Sequence, residues 1–261
     1  MTRQIVFIHG LWLTSQSWER FEAFFTDAGY NVVAPEWPRK HGDVAEIRRT
    51  SDRVAGLGIA EIAGHYEAFI RGLDAPPILI GHSFGGLITM LLLDRGLGAA
   101  GVAIDPAPPR GIFNVPPQQL KASSPALLHP TKWRGVVTLT LEQFTYGFAN
   151  TFTPEQARAA YERYAVPDTG RPLFEAAFAN LNPWAPTRID YARARAPLLI
   201  TAGEKDNTVP ASVSRSIYAK QRVSPSRTDL LELAGRPHLL MVGDGWEEVA
   251  TSIERWLGEL A

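Results

Sequence analysis

The 261-residue chain contains no cysteine. That removes disulfides, thiolate nucleophiles and cysteine-ligated zinc together. Net charge is nearly absent as well: 26 Lys and Arg against 27 Asp and Glu leave −1. Nucleic acid requires a basic face, and this balance gives no support for one. Long apolar runs are also missing. No stretch approaches the ~20 residues of a membrane span. The opening "MTRQIVFIHG" holds only Ile5 to Ile8 between polar neighbours, where a secretory core needs roughly 7–15 apolar residues. There is no H-E-x-x-H, and the six histidines are scattered, so no metal centre is expected. The expectation is a cytoplasmic protein with no membrane or nucleic-acid partner; nothing in the sequence speaks to oligomeric state.

What is present is the composition of a folded domain: 45% hydrophobic and 20% charged residues. The length suffices for one large core or two small ones. Short apolar runs alternate with longer amphipathic stretches. Strands are expected at Ile5–Ile8, "YNVVAP", "PPILIG", "AGVAIDP", "APLLITAG" and "RTDLLELAG". Between them, Trp18, Phe21, Phe24 and Phe25 recur at helical spacing behind a Thr14 or Ser15 cap, and Ile59 to Leu73 marks a second helix. "FGGLITMLLLDRG" and "SVSRSIYAKQ" follow strands, and a last helix is read as opening at Asp244. Near-continuous apolar strands alternating with helices imply a mostly parallel sheet of about six strands covered on both faces. The rhythm stops between residues 111 and 190. There, Thr153, Pro154 and Gln156 mark a capped helix start, and "GVVTLTL" suits strand or helix. The reading is one core of residues 1–110 and 192–261, with a helical lid of residues 111–191 inserted in it.

"LIGHSFGG" closes the third of these strands. A G-x-S-x-G between strand and helix reads as a nucleophile elbow. The turn holds Ser83 in a strained conformation, and Gly81 and Gly85 let neighbouring backbone pass close by. A serine needs a base. His9 and His82 lie inside motif turns and suit backbone-orienting roles. His41 and His65 sit among charges, and His129 has no evident partner. His238, in "GRPHLLM" just past the last strand, lies where loops gather over an α/β site. The acid that orients it is assigned to Asp206 in "GEKDNTVP", with Asp105 as runner-up and Glu204 third. The expected oxyanion donors are the backbone N–H groups of Phe84 and Leu11, with Trp12 as the alternative to Leu11.

"FIHGLW", "GHSFGG", "GEKDNTVP" and "GRPHLLM", in that order and spanning nearly the whole chain, resemble the α/β-hydrolase superfamily. The chain order Ser83, Asp206, His238 is that of the superfamily. The resemblance implies an α/β-hydrolase fold with a lid after the strand ending at Asp105, and hydrolysis of ester-type bonds without a cofactor. Members usually carry an antiparallel strand pair ahead of the "HG" strand, and that pair is missing here. A serine nucleophile argues against dehalogenase and epoxide-hydrolase chemistry. It leaves carboxylesterase chemistry on a small-molecule ester as the first reading. Lactonase or cofactor-free perhydrolase chemistry is the alternative, and a catalytically inactive binding protein the third. From the aromatics of the insertion, Phe113, Phe144, Phe148 and Trp184 are expected to line an apolar pocket, with Trp12 and Leu239 from the core. Arg110 and Arg134 are the only candidates to clamp an anionic group, and only by nearness in sequence.

Overall fold

A computed structural model describes residues 3–260. The first half alternates strand and helix: β1 (Gln4–Ile8), α1 (Glu19–Asp27), β2 (Asn31–Val33), α2 (Val44–Arg49), α3 (Ile59–Arg71), β3 (Ile78–His82), α4 (Phe84–Asp94) and β4 (Ala100–Ile104). An insertion follows: α5 (Pro117–Leu127), β5 (Val136–Val137), α6 (Leu141–Phe148), α7 (Pro154–Tyr164), β6 (Asp168–Thr169) and α8 (Arg171–Ala177). The chain then returns to the core with β7 (Leu198–Gly203), α9 (Ala211–Gln221), β8 (Thr228–Leu233) and α10 (Trp246–Gly258).

Six strands form one sheet in the order β2-β1-β3-β4-β7-β8, and every neighbouring pair is parallel. Strands β3, β4 and β7 are buried along their whole length, while β2 and β8 are the half-exposed edges. This is why the central strands read as continuous apolar runs rather than alternating ones. Helix α4 is buried from Phe84 to Leu93 because it packs on the central strands β1, β3 and β4 and against α3. On the other side of β1, Phe7 stacks on Trp18 at 4.8 Å and meets Phe21 and Phe25, the apolar stripe of the first helical segment. Among the described residues, no helix is long and apolar enough to cross a membrane.

Local signals were followed with two departures. Thr153 caps α7 in both directions with Gln156, and Thr14 caps the single 3-10 turn Ser15–Trp18 that leads into α1. "GVVTLTL" yields only Val136–Val137 as strand, paired antiparallel with Asp168–Thr169. The run is cut short because Thr140 already serves as the two-way cap of α6. Asp244 does not open the last helix. Gly245, at φ 77°, occupies the cap of α10, and the Asp244 carboxylate instead accepts a hydrogen bond from Gln156 Nε2 at 3.1 Å.

Strand β3 and helix α4 approach each other so closely that glycine is required twice. A methyl group at Gly81 would overlap the Gly85 backbone, and one at Gly85 would overlap the carbonyl of Ile8 on β1. Neither obstacle is a flexible side chain. Gly85→Ala is therefore expected to cost about 3 kcal/mol, at the upper end of overpacking effects. A urea titration of the purified variant checks this; an unchanged midpoint would contradict the packing described.

Candidate active site

Ser83 is the single residue joining β3 to α4. Its backbone sits at φ 56°, ψ −118°, a region costly for any residue bearing a Cβ, by about 1–3 kcal/mol. The strain is held by bonds on both sides. Ser83 N–H donates to Ile104 O on β4 at 2.9 Å, and Ser83 O accepts from Leu87 N and Ala107 N at 3.1 and 3.0 Å. The residue is 4% exposed. Phe84 is the first residue of α4, so its N–H belongs to the unpaired amides at a helix N-terminus.

The loop after β1 reaches the same place. Gly10 lies so near the elbow that a methyl group there would meet Ser83 Cβ at 3.0 Å. Leu11 is buried beside it. Trp12, the alternative donor, is committed elsewhere: its N–H donates to Asp168 Oδ2 at 2.9 Å. Its φ of 64° marks the sharp reversal of this loop.

His238 and Asp206 are in contact. His238 Nδ1 lies 2.5 Å from Asp206 Oδ2, with both side chains fully buried. Asp206 Oδ1 accepts from the N–H groups of Thr208 and Val209 at 2.7 and 2.8 Å, an Asx-type turn that fixes the carboxylate. The other ring nitrogen, His238 Nε2, is buried without a hydrogen-bond partner among the described residues. His82, next to Ser83 in the chain, packs its ring against His238 with centroids 4.5 Å apart. Burial, and then the neighbouring His238, push the pKa of His82 well below the usual histidine range. A neutral His82 with its proton on Nε2 donates to His238 O at 2.9 Å, which ties the His238 loop to the turn at Ser83.

The insertion holds these loops from the far side. Asn207 Nδ2 donates to Tyr146 O at 2.9 Å, Thr208 Oγ1 to Gly147 O at 2.7 Å, and Leu239 N–H to Phe148 O at 2.9 Å. The acceptors are three consecutive carbonyls at the C-terminal end of α6, groups that a helix leaves unpaired. One helix end thus fastens both the Asp206 loop and the His238 loop.

The runner-up acid is also present. Asp105 Oδ1 accepts from Thr201 Oγ1 at 2.8 Å and Gly203 N at 3.1 Å, and its backbone has φ 43°. One oxygen of Asp105, one of Asp206 and a ring nitrogen of His238 lie within 4.8 Å of one another. The imidazole is nevertheless bonded to Asp206. Burial first, and the Asp206 carboxylate second, push the Asp105 pKa well above the usual carboxylate range. Glu204, the third candidate, is exposed and engaged with Lys205 and Gly235 N.

A cavity of about 190 Å³ opens over Ser83. Its walls are Ala107 to Pro109 and Ile112 after β4, Leu120, Ser123 and Leu127 of α5, Leu173 and Ala176 of α8, and Val209. No titratable side chain lines it. The six residues expected to line the pocket are placed differently. Phe113 and Trp184 are 77% and 84% exposed, away from the cavity walls. Trp12, Phe144, Phe148 and Leu239 are buried in a block behind the imidazole. Phe148 meets His238 edge-on at 5.0 Å, stacks on Phe144 at 5.1 Å and touches Trp12 at 6.1 Å. Arg110 and Arg134 do not line the cavity either. The walls are mainly aliphatic, with Phe84 and the polar side chains of Asn114, Gln119, Ser123, Asn180 and Thr208 among them. Leu120, Ser123 and Leu127 fall on one face of α5 at i, i+3 and i+7, a pattern readable in the sequence and missed in favour of the aromatics.

The raised Asp105 pKa has a consequence for stability. With its pKa raised in the folded protein, Asp105 holds its proton to higher pH than the unfolded chain does. Unfolding then sheds a proton, so this group lowers stability as pH rises from its unfolded towards its folded pKa. Asp105→Asn mimics the protonated acid and lacks that slope. Its melting temperature should gain on the wild type as pH rises above about 4, the gap widening until the native carboxyl itself ionises. Parallel thermal melts across that range test this; a constant offset would show that Asp105 is ionised in the native state.

Comparison with known proteins agrees with this architecture. An extracellular alpha/beta-hydrolase from a Paenibacillus species is 22% identical with a TM-score of 0.71, covering 97% of this chain and 98% of that one. A monoacylglycerol lipase of Paleococcus ferrophilus is 20% identical with a TM-score of 0.69, over 100% and 96% of the two chains. A pyrethroid hydrolase of Sphingobium faniae JZ-2 is 17% identical with a TM-score of 0.65, over 98% and 97%. At these identities the likeness concerns the fold. The family model described as the alpha/beta hydrolase family matches residues 5–252, and the chain belongs to that family.

Proposed function

We propose that this protein is a serine hydrolase of small to medium, uncharged carboxylic esters, acting through an acyl-enzyme. The observation that carries the reading is His238. One ring nitrogen is fixed on a buried carboxylate, and the other is buried and unengaged beside the strained turn that bears Ser83. Asp206 holds the imidazole in the tautomer whose Nε2 accepts a proton, and stabilises the imidazolium once it has done so. Ser83 Oγ attacks the ester carbonyl carbon as its proton passes to His238. The tetrahedral oxygen is met by the N–H groups of Leu11 and Phe84, each such donor being worth about 2.7–4 kcal/mol of barrier. The imidazolium returns the proton to the departing alcohol. Water then attacks the acyl-enzyme with His238 again as base, which regenerates Ser83. This cycle calls on no cofactor.

The cavity supports the substrate class. The lining is mainly Leu, Ile, Val, Ala and Pro, with the uncharged polar side chains of Asn114, Gln119, Ser123, Asn180 and Thr208 and no cation, so a carboxylate or phosphate on the substrate would be desolvated with no opposite charge to offset it. In the same reading residues 111–191 are the lid that closes this cavity, and neighbours of the same fold include proteins named as esterases and hydrolases.

Two measurements test the proposal. With a neutral short-chain aryl ester, Ser83→Ala should lower kcat by about 10³-fold or more while its melting temperature stays at or above that of the wild type. Equal turnover by the two proteins would end the reading. A matched pair of esters, one neutral and one carrying a free carboxylate on the acyl chain, should differ in kcat/KM by about 100-fold in favour of the neutral one. Including lactones, and peroxide as an acyl acceptor, in the same panel separates ester hydrolysis from lactonase and perhydrolase chemistry.

A further inference from the structure

Lys40 and Asp168 form an ion pair with no solvent contact at either side chain, Nζ to Oδ2 at 2.7 Å. They are 128 residues apart, one after β2 and the other on β6 of the insertion. Neither touches the cavity over Ser83. A buried pair of this kind is not by itself a source of stability, because desolvation offsets the attraction. Its surroundings indicate another use.

Both charges end on the loop that follows β1. Asp168 Oδ2 accepts the N–H of Trp12 at 2.9 Å, and Lys40 Nζ donates to Leu13 O at 2.9 Å. The insertion adds Val166 N–H to Trp12 O at 2.9 Å and Val137 O to the Trp12 indole N–H at 3.1 Å. On the preceding side, Trp37 stacks on His9 at 5.0 Å and donates from its indole to His9 O at 3.1 Å. The ammonium of Lys40 lies over the Trp37 ring, 5.0 Å from its centroid. Residues 9, 12 and 13 are therefore each bonded, and Gly10 and Leu11 are spanned between them. Trp12 at φ 64° is a conformation that a side chain disfavours, so outside bonds must hold it.

We propose that Asp168, supported by Lys40, is a positioning residue for the oxyanion hole. By capturing the Trp12 amide, it sets the reversal at Trp12 that turns the neighbouring Leu11 N–H toward Ser83. The second oxyanion donor is then complete only while the insertion is seated on the core. This rests on the ester-hydrolase reading and on Leu11 as a donor. The geometry asks for an acceptor at residue 168; the two charges let a carboxylate serve there without being left unpaired in the interior.

The test compares two double variants, so that no single charge is stranded. Lys40→Met with Asp168→Leu removes both charges and the acceptor. Lys40→Met with Asp168→Asn removes both charges and keeps an amide oxygen for Trp12 N–H. With the neutral aryl ester, the Leu variant should lose about 10–100-fold in kcat with KM within about threefold of the wild type, and the Asn variant should recover most of that loss. The rate at which an aryl phosphonate labels Ser83 should follow the same order, because its phosphoryl oxygen uses the same donors. A folded Leu variant with wild-type kcat and labelling rate, or two variants equally impaired, would overturn the assignment. If the Leu variant does not fold, Lys40→Met with Asp168→Ala takes its place as the acceptor-free protein, and the same comparison with the Asn variant decides. A wild-type protein that turns over no ester but is labelled by the phosphonate removes the ester reading alone, and the labelling rates still decide this one.

Discussion

The close passage of β3, α4 and β1 at two glycines is the constraint on which the rest depends. Because Gly81 and Gly85 let the backbones meet, the chain turns from strand to helix within one residue. Ser83 is left at a φ that few side chains tolerate. The strain is affordable only in a rigid frame, and the fully buried parallel strands supply one. A more open turn would carry the hydroxyl away from the end of the sheet, where the histidine and carboxylate loops converge.

Around that turn the protein spends hydrogen bonds on loops rather than on the substrate cavity. The carbonyls of Tyr146, Gly147 and Phe148 hold the acid and base loops, and Asp168 holds the loop before the elbow. His82, neutral and buried, ties His238 to the elbow from beneath. The insertion is consequently part of the frame as well as a roof. Asp105 fits the same pattern: two buried carboxyls next to one imidazole do not both ionise readily, and the one bonded to the imidazole is Asp206.

Much of this was legible in the sequence because it depends on short-range pattern. The six strands show as apolar runs that stop at Gly, Asp or Pro, and the turn at Ser83 and the loops bearing Asp206 and His238 all follow the ends of such runs. Two things were not legible. The first is the cavity lining. Aromatic side chains in the insertion suggested a pocket, but Phe144 and Phe148 are needed to pack the space behind His238, and Trp184 lies outside. Size and apolarity show that a residue is fit for burial, not which space it fills. The second is the Lys40–Asp168 pair. Nothing in the sequence distinguishes Lys40, in the polar stretch 36–56, or Asp168, before Thr169 and Gly170, from an ordinary surface charge, and only the fold brings them together in the interior.

Helix α5 differs from the rest of the insertion in how it is held. It packs mainly on α6, α8 and the Pro130–Trp133 turn, and Ala126 is its only fully buried residue. Leu120, Ser123 and Leu127 nevertheless form one wall of the cavity. The scaffold thus separates an adjustable wall from a fixed one. On the proposed ester-hydrolase reading, substitutions on α5 re-tailor the range of acyl or alcohol groups accepted, whereas changes at the end of α6 disturb the proposed chemistry itself. Diversification of this enzyme, by selection or by design, has its freest ground on that one helix.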